Sequence, residues 1–338
     1  MDMLQAPASA VPSQGPLLDR FGRTKHKLRI SITDRCNMRC HYCMPEDPEW
    51  LPRDQILSFE ELHRLAALFV RELGIRNIRV TGGEPLLRKG VTDFIAALKA
   101  LRDDGLERVS LTSNAVLLDR HATALKAAGL DDVNISIDAM DPELFQRMTR
   151  GNLEQVLRSI LAARDAGIPV KLNAVVIRGD NEQEVLPLTD WARRHGLPLR
   201  FIEFMPLDGR GGWRPERVVP EAEIIARLRT RYSVEPLPRT REPATYYRLD
   251  GDYRVGIIST VSNPFCASCD RVRLTATGEI FPCLFSPVST GLKEALRAGA
   301  ADAELTALIR KAVWHKGKGF IESAGYVQRA ATMHALGG

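Results

Sequence analysis

The sequence predicts an α/β chain: a partial (β/α)6 barrel of TIM type followed by a C-terminal extension. Two observations predict it. Six short β-rich runs alternate with amphipathic helical runs between Lys27 and about Phe204, and repeated β-then-α units imply parallel strands joined by right-handed crossovers. The residues with chemistry to offer fall just after those runs, where ligands sit in barrels and doubly wound sheets alike. A doubly wound sheet is the alternative architecture.

The opening residues, rich in Ala, Pro, Ser and Gln, lack the basic start and apolar stretch of a secretory signal, and residues 1–20 read as a disordered leader. The barrel is expected over 21–208. Its strands are read at Lys27–Thr33, Asn77–Thr81, Arg108–Thr112, Asp132–Asp138, Val170–Ile177 and Leu199–Phe204, each enriched in Val, Ile or Leu. Helical patterns such as Phe59–Leu73, Val91–Arg102 and Asn152–Ala166 lie between them. In the first, Leu62, Leu65, Ala66, Phe69 and Leu73 recur on one helical face. Gly74, Gly105, Gly129, Gly167 and Gly196 are placed to stop helices. The pattern changes near 205–215. The C-terminal region, 209–338, carries β-like runs at Thr245–Leu249, Tyr253–Thr260, Arg271–Thr275 and Glu279–Phe281. Helical character returns at Leu292–Trp314.

The bulk composition narrows the function. The 338 residues are 44% hydrophobic and 26% charged, as in ordinary soluble domains. No apolar run approaches the ~20 residues that span a bilayer. A net charge of +5 suits an anionic small molecule better than nucleic acid. Arg20, Arg23, Lys25, Lys27 and Arg29 concentrate positive charge before the first strand, as a solvated face or as a site for an anion such as a guanine or adenine triphosphate. All six cysteines fall in two tight clusters, and no targeting segment is read, so metal or redox chemistry is expected in place of disulfides.

Cys36, Cys40 and Cys43, spaced C-x3-C-x2-C, sit in the loop after the first strand. Thiolates are the protein ligands of iron–sulfur clusters, and a four-iron cube normally takes four. Three leave one iron open to a small molecule, which points to catalysis over electron storage. Zinc with His41 as fourth ligand is the alternative, but Cys40 and His41 are adjacent and poorly placed to close one tetrahedron. Gly82-Gly83-Glu84 follows the second strand. The glycines admit close approach to the main chain, and Glu84 offers a carboxylate to an ammonium group, which together suit an amino-acid-like ligand. The second triad, Cys266-x2-Cys269-x13-Cys283, brackets Arg271 and Arg273, which alternate along a strand and share one face. Zinc is again the alternative, with no fourth Cys or His nearby.

Cys36, Cys40 and Cys43, with Tyr42 before the last and Gly82-Gly83-Glu84-Pro85 downstream, resemble the radical S-adenosylmethionine (SAM) superfamily. Ser31–Cys36, the second triad and the terminal Gly337-Gly338 narrow the resemblance to the GTP cyclase family of molybdenum cofactor biosynthesis, from about Leu28 onward. The resemblance implies a 4Fe–4S cluster on the first triad, with SAM at its open iron, and a second 4Fe–4S cluster on Cys266, Cys269 and Cys283 that meets the guanine of GTP. It places Tyr42, Gly83, Ser136 and Met205 at SAM, and Arg29, Arg79, Thr112, Lys171, Arg271 and Arg273 at GTP. Four Arg and one Lys suit a triphosphate, because guanidinium forks pair phosphate oxygens bidentately. Catalytic roles fall to Cys36, Cys40, Cys43, Arg271, Arg273, Gly337 and Gly338, the last two on a tail that enters the active site. A deoxyadenosyl radical would take the ribose 3′ hydrogen, giving 3′,8-cyclo-7,8-dihydroguanosine triphosphate. The resemblance further implies a cytoplasmic homodimer, a one-electron donor protein and a downstream cyclic pyranopterin monophosphate synthase, with no nucleic-acid or membrane partner. His315–Phe320, reading Lys-Gly-Lys-Gly at its centre, is looser than the family's usual basic segment. A radical SAM peptide-modifying protein and a zinc-dependent binding module are the competing readings.

Overall fold

The computed structural model describes residues 10–207, 211–240, 242–319 and 332–337. Its centre is six parallel strands: β1 (Lys27–Ser31), β2 (Asn77–Thr81), β3 (Arg108–Ser113), β4 (Asp132–Ser136), β5 (Val170–Val176) and β6 (Leu199–Glu203). Their ends fall within two residues of the sequence expectation. They lie side by side in chain order. A doubly wound sheet reverses its order part-way, so the partial barrel is the architecture and the alternative is set aside.

Helices α1 (Phe59–Arg71), α2 (Val91–Lys99), α3 (Leu118–Ala127), α4 (Pro142–Thr149), α5 (Leu153–Asp165) and α6 (Val185–Arg194) cover the outside. Local chemistry sets their limits. The Ser58 hydroxyl accepts the Glu61 N–H while the Glu61 carboxylate accepts the Ser58 N–H, a capping box that starts α1. Gly74 and Gly167 follow α1 and α5 at φ +72° and +75°, a conformation that costs a side chain energy.

Register gives the strands two unlike faces. Ile30, Val80, Leu111, Val133 and Val170 stand in one cross-strand row and are buried under the helices. The alternate rows are polar: Arg29, Arg79, Ser110 and Asp132 in one, Thr112, Asn134 and Lys171 in the next, Ser136, Asn173 and Arg200 in a third. A parallel barrel is ordinarily filled by branched apolar side chains. This one has a polar, basic interior.

The C-terminal region flanks both edges of the barrel. β9 (Tyr253–Ile258) pairs parallel with β6, and β10 (Arg271–Leu274) pairs parallel with β1. Outside β9 run β8 (Thr245–Leu249) and β7 (Val234–Pro236); outside β10 run β11 (Glu279–Phe281) and β12 (Thr290–Gly291). Strands on both sides of the expected boundary at 208/209 therefore share one sheet. α7 (Glu221–Arg229), α8 (Lys293–Arg297), α9 (Asp302–Trp314) and α10 (Met333–Leu336) complete the described elements. The helix expected over Leu292–Trp314 is broken between α8 and α9, where Gly299 turns at φ +82°.

The leader expected over 1–20 is shorter than that. Leu17 is fully buried, its N–H donates to the Leu73 carbonyl, and Lys25 returns an N–H to Leu17. An apolar side chain inside the core outweighs the low-complexity signal that precedes it. Residues 1–9 lie outside the described residues. Among the described residues no helix is long and apolar enough to cross a membrane.

Candidate active site

The two cysteine triads lie at opposite ends of the barrel. Cys36, Cys40 and Cys43 follow the C-terminal end of β1, whereas Cys266 and Cys269 precede the N-terminal end of β10, its parallel neighbour. Lys27, the first residue of β1, is level with Arg271, and the five residues of β1 separate the two ends by roughly 15 Å at strand rise. The polar interior runs between them.

The first triad is braced from three strand ends. Gly83 donates to Thr33 O at 2.8 Å and Glu84 to Arg35 O at 2.7 Å, which ties the Gly-Gly turn to the chain entering the triad. A Cβ on Gly83 would stand 2.3 Å from Arg35 O and 2.6 Å from Asp34 O, so no side chain fits. The Tyr42 hydroxyl donates to Asp138, beyond the end of β4, and Asp138 also accepts the Val175 N–H. The Cys36 sulfur accepts N–H groups from Met38 at 3.4 Å and from the Asn114 side chain at 3.6 Å. Burial pushes the Cys36 thiol up to about 11, and raises Cys40 and Cys43 well above the usual thiol range.

Glu84 departs from its expected role. It is fully buried and its carboxylate accepts N–H groups of Leu86 and Asn114 and the Ser113 hydroxyl. It therefore fastens the end of β2 to the end of β3 instead of meeting an external ammonium. Burial raises its pKa to about 7, partly offset by those three donors.

Between the triads the walls are cationic. Arg29, Arg79, Lys171, Arg271 and Arg273 share the interior with Arg108 and Arg200. Burial, and then the charges of Arg273, Arg79, Arg271 and Arg200, drive the Arg29 proton affinity well below that of an ordinary arginine. Burial lowers Arg79 to about 10 despite Asp132, and lowers Arg273 to about 10 beside Arg271. Such shifts register unmet positive charge, because a guanidinium keeps its proton. Asp132 answers part of it, at 2.6 Å from Arg108 and 3.9 Å from Arg79. Buried charge without a partner is costly, so this interior calls for a polyanion. Thr112, half-buried one row above Ser110, lines the same wall.

Arg200, missing from the sequence reading, belongs here: it donates to Asn173 at 3.0 Å and to Asn134 at 2.8 Å. A polar residue at alternate positions of three successive strands, Asn134, Asn173 and Arg200, is the signal that could have found it.

The basic cluster around the start of β1 divides by its partners. Arg29 faces the interior, Lys27 pairs with Asp270 at 3.0 Å, and Arg23 and Lys25 are buried on Asp19 at 2.7 Å each. At this end Cys266, Cys269, Cys283, Phe265, Arg271 and Arg273 line a cavity of about 70 Å³. The Cys283 sulfur accepts the Phe285 N–H at 3.4 Å. Burial opposes ionisation of Cys269, but the charges of Lys316 and Arg271, the Arg271 N–H and Lys25 bring it down to about 6.

The C-terminal tail enters the same interior. Arg273 donates to Gly337 O, and a Cβ on Gly337 would stand 2.3 Å from Thr81 Cγ2 at the end of β2. His334 hydrogen-bonds the Cys43 backbone and meets Trp50 edge-on at 6.3 Å. Met205 packs into the small apolar group formed by Leu207, Phe281, Phe285 and Leu336, and Ser136 ends β4, half-buried, level with Asn173. Gly338 lies outside the described residues.

The residues present fit clusters. All six cysteines are free thiols in two groups of three, each group includes a sulfur that accepts N–H donors, and such donors stabilise cluster thiolates. Among the described residues no group of three or more His, Cys, Asp or Glu side chains converges as a single-ion site requires.

Comparison with known proteins agrees. Residues 30–192 match the model of the Radical SAM superfamily, and residues 197–321 that of Molybdenum Cofactor Synthesis C. A GTP 3′,8-cyclase of Corynebacterium glutamicum (strain ATCC 13032) is 48% identical over 336 residues, 95% of this chain and 89% of that protein. The Streptomyces coelicolor GTP 3′,8-cyclase is 44% identical over 330 residues, covering 95% and 96%. The chain belongs to the GTP 3′,8-cyclase family. It is a radical SAM lyase of molybdenum cofactor biosynthesis, and its cofactors are SAM and two 4Fe–4S clusters. Solved structures support the fold: Streptococcus suis SuiB with its precursor peptide SuiA gives a TM-score of 0.60 at 14% identity, covering 86% of this chain and 67% of that one. Native anSMEcpe with bound AdoMet gives 0.57 at 16%, covering 86% and 81%.

Proposed function

We propose that the chain converts GTP to (8S)-3′,8-cyclo-7,8-dihydroguanosine 5′-triphosphate, with Cys36, Cys40 and Cys43 holding the first 4Fe–4S cluster and Cys266, Cys269 and Cys283 the second. The observation that carries the assignment is the cross-strand row of Arg79, Arg29 and Arg273 on the interior face between two thiol triads. When bound, the clusters and SAM supply the one-electron chemistry that starts the cyclisation.

The chain's own residues bind, orient and shield. Arg29, Arg79, Lys171, Arg271 and Arg273 hold the triphosphate as forks and point charges, with Thr112 as a hydroxyl partner. That grip fixes the nucleotide along the barrel axis and so sets which ribose carbon faces the first triad. Tyr42, Gly83, Ser136 and Met205 surround SAM. Gly83 leaves the main chain bare at the triad, and the Tyr42–Asp138 contact fixes the loop that carries it. Gly337 closes the interior beside Arg273 and helps keep water from the reacting atoms. The barrel portion, 21–208, and the C-terminal portion, 209–338, are functional halves of one sheet, one for each cluster. In the cell a one-electron donor protein feeds the reaction, the enzyme works as a cytoplasmic homodimer, and a cyclic pyranopterin monophosphate synthase consumes the product.

Anaerobically prepared protein given SAM, dithionite and GTP should release deoxyadenosine and the cyclised nucleotide. Cys266→Ser should abolish GTP turnover and spare uncoupled SAM cleavage. Loss of both activities would reject the division of roles between the triads.

A further inference from the structure

Lys316–Gly319, after α9, packs on the Cys266–Cys269 loop. A Cβ on Gly319 would stand 2.4 Å from Cys266 Cβ and 2.5 Å from its sulfur. The Lys316 side chain is buried, with Nζ 3.3 Å from the Cys269 sulfur and 2.9 Å from the Arg271 carbonyl. Among the described residues no carboxylate pairs with it. Asp19, the buried acid of this corner, is already shared by Arg23 and Lys25 at 2.7 Å each.

A buried ammonium without an anion is unstable by several kcal/mol. The sulfur is the group positioned to answer it. The surrounding frame holds this geometry from independent directions. Lys25 donates to the Cys269 carbonyl at 2.8 Å, and Arg23 donates to the carbonyls of Cys266, Lys318 and Gly317 at 2.9, 2.6 and 2.7 Å. The N-terminal strap thus clamps the cysteine loop and the lysine segment to each other.

We propose that Lys316 is a positioning residue for the second cluster: a charged hydrogen-bond donor to the Cys269 sulfur that sets that cluster's reduction potential. This rests on the reading that the second triad holds a cluster. Donors to ligand sulfur, and positive charge in a low dielectric, favour the more negative reduced state and raise the potential.

The test is an EPR-monitored redox titration of the full-length chain carrying Cys36→Ser, Cys40→Ser and Cys43→Ser, so that the remaining signal is the second cluster's. Adding Lys316→Met should keep about four irons and shift the midpoint to more negative potential, while Lys316→Arg should stay near the parent. Iron lost with Met but kept with Arg would also support the charged donor. An unchanged midpoint with Met would overturn the proposal, as would iron loss with both substitutions, which would make the lysine's shape the requirement. If the parent with Lys316 intact binds no iron, the cluster reading itself fails and the proposal falls with it.

Discussion

The Arg273 guanidinium donates through Nη1 to the carbonyl oxygens of Gly337, at 2.5 Å, and Leu336, at 3.2 Å. Arg273 also lines the cavity of the second triad. One buried side chain therefore connects the end of the polypeptide to the cluster site, and the tail has a defined seat.

Disturbing that seat should affect turnover more than folding. Gly337 sits at φ +72° with room for no Cβ against Thr81. Gly337→Ala should lower the GTP-dependent rate on the order of 10²-fold by misplacing its neighbours, with the melting temperature close to wild type. Wild-type turnover in that variant would show that the tail is dispensable.

The Gly83 turn should fail differently. Gly83→Ala drives a methyl into Arg35 O and Asp34 O, overpacking that costs ~1–3 kcal/mol. Iron analysis should show the first-triad iron reduced and the second-triad iron retained, with a lower melting temperature. Equal loss from both triads would mean the strain spreads through the whole barrel.

Asp19→Asn should be among the most destabilising single changes near the second triad. It leaves Lys25 and Arg23 buried without their anion, at a cost of ~3–5 kcal/mol by denaturant unfolding at neutral pH. Lys25, Arg23 and their hydrogen bonds hold the Asp19 carboxyl below its ordinary range against the opposing effect of burial. A carboxylate with a depressed folded pKa stabilises above its unfolded value, near 3.8, and loses that contribution as pH falls through the folded one. The gap between wild type and variant should therefore shrink below about pH 4; a constant gap would contradict the ion pairs.

In cluster-free protein the cysteines should alkylate in a defined pH order. The thiolate is the reactive form, so Cys269 should reach half its plateau rate near pH 6, whereas Cys36, pushed up to about 11, should still be accelerating well above that. Mass spectrometry after brief iodoacetamide pulses reads both. Lys316→Met should move the Cys269 curve upward in pH, and identical curves for Cys269 and Cys36 would contradict the electrostatics of the site.

Much of this was legible in the sequence, for identifiable reasons. The barrel strands were visible because β-branched runs are short and glycines such as Gly74 and Gly167 punctuate the helices. The triads were visible because close cysteine spacing is a local pattern. Arg200 was not picked out, because its role depends on lying level with Asn173, and its signal is spread over three separate strands instead of one local window. Glu84 was misread for a related reason: its partners Ser113 and Asn114 arrive from the next strand. Lys316 stood in a segment, His315–Phe320, that read as looser than the family's usual basic one, because its sulfur partner Cys269 is 47 residues away in the chain. Arg23 and Lys25 read as a solvated face or an anion site, and are instead buried on Asp19, because Leu17 draws the preceding strap into the core.

The parallel pairing of β1 with β10 has a temporal consequence. During synthesis β1 emerges first among the strands, but its outer neighbour starts at Arg271, more than 240 residues later. Until then β1 is an open edge, with unpaired main-chain groups and the cationic interior exposed beside it. The nascent chain can fold its first triad loop and six strands while the side of the barrel stays open. The strand that seals this seam carries Arg271 and Arg273 and lies between Cys269 and Cys283, so the enclosure, the last of the substrate grip and the second triad come into being together, late.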